Sequence, residues 1–257
     1  MIAPYSEQYW NMARTFAYYG FRMRDQSTVL GFIWTLLHPL LLFLILFVLF
    51  RQRLGADIPN FAVYLLIGIV HWNMFANATN KAVNSLVSRR DMVVGMNFPR
   101  ELIVFGDVGA ALISSSLEFL VLILFAAIMG VPLSFAWLLV PIVFAIQSVL
   151  VVAVSLIVAG LQVFVRDVER IWSLLIRVGF FAVPIFYSLS ILSGPWARAV
   201  ILANPLTHNM TASRELMLEG RLASLGGLGY SLGVATVLLI LGLALFRRAE
   251  TSFAERL

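Results

Sequence analysis

Residues 119–165 read FLVLILFAAIMGVPLSFAWLLVPIVFAIQSVLVVAVSLIVAGLQVFV, a run without a charged residue between Glu118 and Arg166. A helix needs ~20 apolar residues to cross a hydrocarbon core of ~30 Å, so this run is too long for one crossing. Gly130 and Pro132, within MGVPLSFAW, supply a turn in its middle. The run therefore divides into the end of one transmembrane helix, residues 102–129, and the whole of the next, residues 135–165.

On either side, uncharged stretches at residues 26–50, 58–80, 178–197 and 222–246 each reach crossing length. Together they predict an all-α integral membrane protein, one domain with six transmembrane helices at residues 29–50, 58–82, 102–129, 135–165, 171–192 and 226–246. Composition agrees: 61% of residues are hydrophobic and 12% charged, where soluble domains carry ~25% charged residues. Six crossings put both termini on one side. Arg14, Arg22, Arg24, Lys81, Arg89, Arg90, Arg100, Arg166, Arg170, Arg177, Arg247, Arg248 and Arg256 fall on that side, against Arg51, Arg53, Arg198, Arg214 and Arg221 on the other. Basic loops are retained in the cytoplasm, so both termini are expected there. The net charge of +5 is scattered rather than gathered on one face, which argues for topology and lipid contact and against a nucleic-acid partner. Cysteine is absent, which excludes disulfides, thiolate catalysis and Cys-based metal sites. The first residues lack a basic segment followed by an apolar core and a small-residue cleavage site, so no cleaved signal peptide is expected.

Read as a helix, residues 7–24 place Tyr9, Met12, Phe16, Tyr19 and Met23 on one side and Glu7, Asn11, Arg14 and Arg22 on the other. That pattern fits an amphipathic helix in the membrane interface or a soluble helix packed on a partner. In the first span Pro39 removes a helical hydrogen bond, and His38 beside it either lines a polar path or bonds a freed carbonyl. The third span carries Asp107 and Glu118 three helical turns apart, on one stripe with Ala110, Ala111 and Ser114. A charge near mid-bilayer costs ~2.5–3.5 kcal/mol on insertion scales, so such a stripe faces protein or water. Glu118 is then bonded inside the bundle or set along a path or its gate, while Asp107 is close enough to the loop to snorkel. Residues 196–203 and 206–218 are too short to span and meet at Asn204-Pro205. They read as a re-entrant helical pair over residues 196–218, or as a hairpin lying on the surface. In the last span Gly229 and Gly233 form a small-xxx-small pair, which permits close helix contact.

The one lysine, Lys81, stands between Asn80 and Ala82, so a phosphate-binding loop of the G-x-x-x-x-G-K-[ST] kind is excluded. No G-x-S-x-G, H-E-x-x-H or EF-hand pattern occurs, and His38, His71 and His208 lie far apart without metal spacing. Nothing points to an enzyme, and neither cofactor nor metal is expected on this chain. The internal repeats and multiple buried ionisable groups of an ion-coupled carrier are also missing. Aromatic residues are plentiful instead: Tyr64, Trp72 and Phe75 in the second span, and Phe180, Phe181, Phe186, Tyr187 and Trp196 around the fifth. They read as interface anchors or as a wall along which sugar rings slide.

Five stretches, in order, carry a resemblance to a known family: STVLGFIWTLLHPLL (27–41), NSLVSRRDMVVGMNFPRELI (84–103), FVRDVERIWSLLIRVGFFAVPIFYSLSIL (164–192), ANPLTHNMTASRELMLEG (203–220) and FRRAETSFAERL (246–257). The chain resembles the ABC-2 type membrane subunit of bacterial ABC exporters that move O-antigen, capsule or teichoic acid precursors. The resemblance implies a homodimeric channel in the bacterial inner membrane, two cytoplasmic ATPase subunits that hold ATP and Mg, and a lipid-linked polysaccharide as substrate. It also implies a coupling helix at residues 91–98, docking in the ATPase through Asp91, Met92, Val93, Val94, Gly95, Met96, Asn97 and Phe98, with Pro99, Arg100 and Glu101 following. Asp91 is suited to cap that helix and Pro99 to end it. Gly95 costs about 1 kcal/mol relative to Ala within a helix, so the element is short or is completed on docking. By the same resemblance Arg166, Asp167 and Arg170 lie near the ATPase, although RDVER also reads as a solvated turn. Asn204 and Pro205 would form the outer gate, with Phe180, Phe181, Phe186, Tyr187, Trp196 and Glu118 as further channel or gate positions. The rival functions are an ABC-2 exporter of drugs or small lipids, a membrane-embedded glycan- or lipid-modifying enzyme, which would need clustered carboxylates or histidines, and a channel or scaffold without an ATPase.

Overall fold

The computed structural model describes residues 7, 11–12, 14–16, 18, 31–56, 58–96, 98–191 and 194–256. The amphipathic helix expected over residues 7–24 falls largely outside the described residues, and so does Asn97. Every regular element among the described residues is helical. In chain order the α-helices are α1 (Gly31–Phe50), α2 (Phe61–Val83), α3 (Arg90–Gly95), α4 (Glu101–Ile128), α5 (Val140–Phe164), α6 (Val168–Ala182), α7 (Pro195–Leu202), α8 (Pro205–Arg214) and α9 (Leu225–Arg256). Among the described residues, four segments are long and apolar enough to cross a membrane: Phe61–Val83, Glu101–Ile128, Phe135–Phe164 and Leu225–Glu250. The chain is therefore a multi-pass membrane protein. The apolar part of α1, Leu37–Phe50, is shorter.

The long uncharged run breaks where a turn was expected. Gly130 adopts φ +77°, a backbone state that a side chain disfavours. The next helical turn, Phe135–Leu139, is capped by Ser134, whose Oγ accepts from the Ala136 N–H at 3.2 Å, and Pro141 stands in the first turn of α5.

The fifth expected crossing departs from its expected form. Instead of a continuous helix over residues 171–192, α6 covers 15 residues and stops at Ala182. That is ~22 Å of helix, short of the ~30 Å core. Pro184 explains the stop: it lacks an N–H and pushes the preceding residue out of the helical region, and Val183 is extended at φ −116°, ψ 142°. The chain then runs without helix through Ser188, and Val183, Pro184, Ile185 and Phe186 are buried along it.

α2 is the central helix, with 78% of its crossing window buried against 22% for α9. It packs against α1, α4, α5, α6 and α8, while α9 lies along α5. Their close approach is at Gly242, where a Cβ would come within 3.1 Å of the Ala153 carbonyl oxygen. Nothing lies within 4 Å of such a Cβ at Gly229 or Gly233, so that pair does not make the close contact within the chain. Leu44, Ile45, Val48 and Leu49 on α1, with Ile171, Leu174, Leu175 and Val178 on α6, remain exposed.

Candidate functional site

At the end of α2 near Lys81, a buried corner at Ser85 and Leu86 leads through a 3-10 turn, Val87–Arg89, into α3. Arg89 donates from Nη1 and Nη2 to Asp107 Oδ2 and Oδ1 at 2.6 and 2.8 Å, and Lys81 Nζ lies 3.8 Å from Oδ1. Asp107, expected near enough to the loop to snorkel, is a buried carboxylate in a two-pronged ion pair. Its stripe-mates Ala110, Ala111, Ser114 and Glu118 are buried too, as one protein-facing stripe requires.

α3 differs from the helix expected at residues 91–98. It has six residues, Arg90–Gly95, and Met96 turns extended at φ −124°, ψ 141°. No side chain caps it: the cap position is Arg89, and Asp91 stands in the first turn, where a carboxylate suits the helix dipole. An isolated helix this short is marginal in water, so tertiary contacts hold it. Val93 and Phe98 are buried, Phe98 stacks on Phe16 with centroids 6.1 Å apart, and Arg100 Nε donates to the Val93 carbonyl at 3.3 Å. The apolar patch MVVGMNF is thus divided. Val93 and Phe98 face inward and Met92 is partly buried, while Asp91, Val94, Gly95 and Met96 are exposed and Pro99 and Arg100 intermediate. Glu101 points into the bundle at 1% exposure. Arg166, Asp167 and Arg170 lie exposed at the start of α6, with Asp167 and Arg170 3.5 Å apart.

The other end of α2 holds the aromatic positions. Phe180, Phe181, Phe186 and Tyr187 form one cluster, with Phe186 centred 6.2 Å from Phe180, 6.1 Å from Phe181 and 5.2 Å from Tyr187. Phe50 of α1 stacks on Phe186 at 4.8 Å, and Trp72 meets Phe180 edge to face at 6.0 Å. Trp196 does not join them; it is 84% exposed on α7. Asn204 Oδ1 accepts from the Leu206 N–H at 3.0 Å and Pro205 occupies the first turn, so these two residues start α8.

Sequence reasoning missed the residue that joins these parts. Arg214, counted only as a loop cation, is buried at the end of α8, its guanidinium 3.5 Å from the centre of the Tyr64 ring. Nη2 donates to the Ile185 carbonyl at 2.9 Å and to the Tyr64 carbonyl at 3.3 Å. The Tyr64 hydroxyl in turn donates to the Tyr187 carbonyl at 2.9 Å. Buried backbone that leaves the helix strands its carbonyls, and here Arg214 and Tyr64 supply the missing donors. Gly68 makes room, since a Cβ there would stand 2.9 Å from Arg214 Nη2. The available signals were Pro184 and a lone arginine at the end of a short helix that is otherwise without acidic or basic residues apart from His208.

Between the two ends, His71 is fully buried. Its Nδ1 bonds Gln147 Oε1, and its Nε2 lies 2.8 Å from Ser213 Oγ. The Gln147 amide is oriented by its other end, which donates to the His71 carbonyl at 2.7 Å. An oxygen facing Nδ1 requires the proton on that nitrogen and leaves Nε2 to accept from Ser213. α2, α5 and α8 are thereby joined by one polar node. Glu118 borders a small cavity with Pro39, Leu40, Leu66, Val70, Val121 and Leu122, and His38 is exposed.

Residues 13–218 match the family described as ABC-2 type transporter. Among curated relatives, an O-antigen export system permease protein RfbA of Klebsiella pneumoniae is 30% identical, covering 91% of this chain and 90% of the relative. The Myxococcus xanthus protein of the same name is 29% identical with the same coverage. A polysialic acid transport protein KpsM of Escherichia coli is 24% identical over 89% of this chain and 90% of its own length.

Proposed function

This chain belongs to the ABC-2 type transporter family, and from that premise we propose that it is the permease subunit of an exporter carrying a lipid-linked polysaccharide of the O-antigen kind across the bacterial inner membrane. Relatives that it matches over about nine-tenths of its length, named for O-antigen and polysialic acid transport, support the substrate class. The subunit moves substrate and does no chemistry; a separate ATPase holds ATP and Mg. In this arrangement α1, α2, α4, α5, α6 with its non-helical continuation, and α9 make six crossings. α7 and α8 dip into the membrane as a re-entrant pair, and both termini are cytoplasmic. Two copies enclose the path, and two ATPase subunits dock at α3 and beside Arg166, Asp167 and Arg170.

The observation that carries the energy input is the anchored tip. Val94 and Met96 are 52% and 54% exposed, while Val93 and Phe98 on the same short segment are locked into the core. A partner that pushes on the tip therefore pushes on the bundle. At the other end Phe180, Phe181, Phe186 and Tyr187 offer rings suited to the C–H faces of sugars, and Glu118 beside Pro39 puts a polar group on the wall.

The test is ATP-driven export in vesicles that contain the chain and its partner ATPase. The double variant Val94→Asp with Met96→Asp is expected to abolish export and release the ATPase, and undiminished export would overturn the docking role. Transport of a short-chain lipid with no transport of a lipid-linked glycan would instead assign the chain to small-lipid export.

A further inference from the structure

α9 is longer than a crossing needs. Its 32 residues make ~48 Å of helix against a core of ~30 Å. With both termini cytoplasmic as proposed, the surplus falls in the charged last turns, which lie at the end that carries α3. They are packed there: Phe246 and Phe253 are 2% and 0% exposed and meet edge to face at 5.1 Å, and Phe253 lies 5.9 Å from the Phe164 ring of α5.

The same turns hold the segment that follows α3. Glu250 Oε1 accepts the backbone N–H of Arg100 at 2.7 Å and lies 3.7 Å from Arg100 Nη1. Arg247 donates from Nε and Nη2 to Glu101 Oε2 and Oε1 at 3.0 and 2.9 Å, one turn along. Arg100 reaches back through Nε to the Val93 carbonyl at 3.3 Å, so the linkage runs from Glu250 through Arg100 into α3 itself. On the opposite side α3 is held by Arg89 and Asp107.

We propose that the end of α9 is a brace that fixes where α3 presents Val94 and Met96, and that Arg247 and Glu250 are positioning residues for the transfer of force into the bundle. This rests on α3 being the docking segment. A six-residue helix tied at one end would yield when pushed; tied at both ends, it passes the movement to α4 and, through α9 and Phe253, to α5.

The full chain with its partner ATPase in vesicles tests the proposal, with three readouts: ATPase retained on the chain, ATP hydrolysed, and glycan exported per ATP. Glu250→Ala is expected to keep the complex and its hydrolysis while export per ATP falls about tenfold, as loss of charge-assisted hydrogen bonds allows. Arg247→Glu is expected to act alike, and its combination with Glu101→Arg to restore most of the loss. A purely structural role would lower all activities in proportion, so an unchanged export per ATP in Glu250→Ala overturns the brace. If Glu250→Ala does not fold, Glu250→Gln keeps an oxygen for the Arg100 N–H and drops the charge; a fall of about threefold is then expected, and no fall overturns the brace. Val94→Asp separates the two claims. Loss of the ATPase in that variant beside an unaltered Glu250→Ala defeats the brace alone, whereas retention of the ATPase and of export defeats the docking segment on which the brace depends.

Discussion

Arg89 and Arg214 are held near opposite ends of α2 by different chemistry. Arg89 gives two N–H groups to the carboxylate of Asp107, so the charges cancel. Arg214 lays its guanidinium on the Tyr64 ring and gives its N–H groups to backbone carbonyls of Tyr64 and Ile185. The first arrangement is a pair, defined by opposite charge. The second is a framework in which one planar cation satisfies irregular backbone, so it depends on shape and on the number of donors. A pair can be inverted and still work; the framework has no inverse.

Arg214→Leu is expected to have the largest effect, because it leaves the Ile185 and Tyr64 carbonyls without their donor. At ~1–3 kcal/mol for each stranded group, about 4 kcal/mol should be lost, read as a fall in the thermal midpoint of the detergent-solubilised protein. Arg214→Lys should recover little, since an ammonium lacks the planar fork; full recovery with lysine would reduce the framework to a simple charge. Asp107→Asn comes next, at about 3 kcal/mol, for breaking a largely buried pair. Exchanging Arg89→Asp with Asp107→Arg should regain part of that stability in a double-mutant cycle, and a cycle without coupling would erase the contrast with Arg214. Tyr64→Phe is expected to be mildest, about 1 kcal/mol, because the ring under Arg214 stays and one hydrogen bond to the Tyr187 carbonyl goes. Its expected signature is faster hydrogen exchange at residues 185–188 with the rest of the bundle unaltered.

The two ends were also unequally legible. Helical spacing from Glu118 set Asp107 on a stripe facing protein or water, near enough to the loop to snorkel, but its burial and its partners at residues 81 and 89 lie beyond what periodicity within one helix can reach. The α3 segment was implied by the family resemblance, with Asp91 suited to cap it and Pro99 to end it, but its limits moved from 91–98 to 90–95. The inward pull of Val93 and Phe98 decides where the chain straightens, and that pull is tertiary. At the aromatic end Pro184 stood in plain view inside an uncharged stretch, and counting apolar residues passed over it. Hydropathy measures whether a segment can lie in lipid, whereas proline decides whether it can do so as one helix.

The residues by themselves determined that the chain is helical and lives in a membrane, and that no phosphate-binding loop of the lysine type is present. Those properties follow from local quantities: transfer energy summed over ~20 residues, and the presence or absence of a side chain. Only the tertiary structure decided that α2 is central, that Arg214 fills the gap opened by Pro184, that His71, Gln147 and Ser213 meet, and that the end of α9 reaches Arg100. The contacts bring together groups 29 to 150 positions apart, as with Arg214 against Ile185, His71 against Gln147 and Ser213, and Glu250 against Arg100. Such contacts are selected by packing and by the need to satisfy buried polar groups, and neither is written in any one stretch of chain.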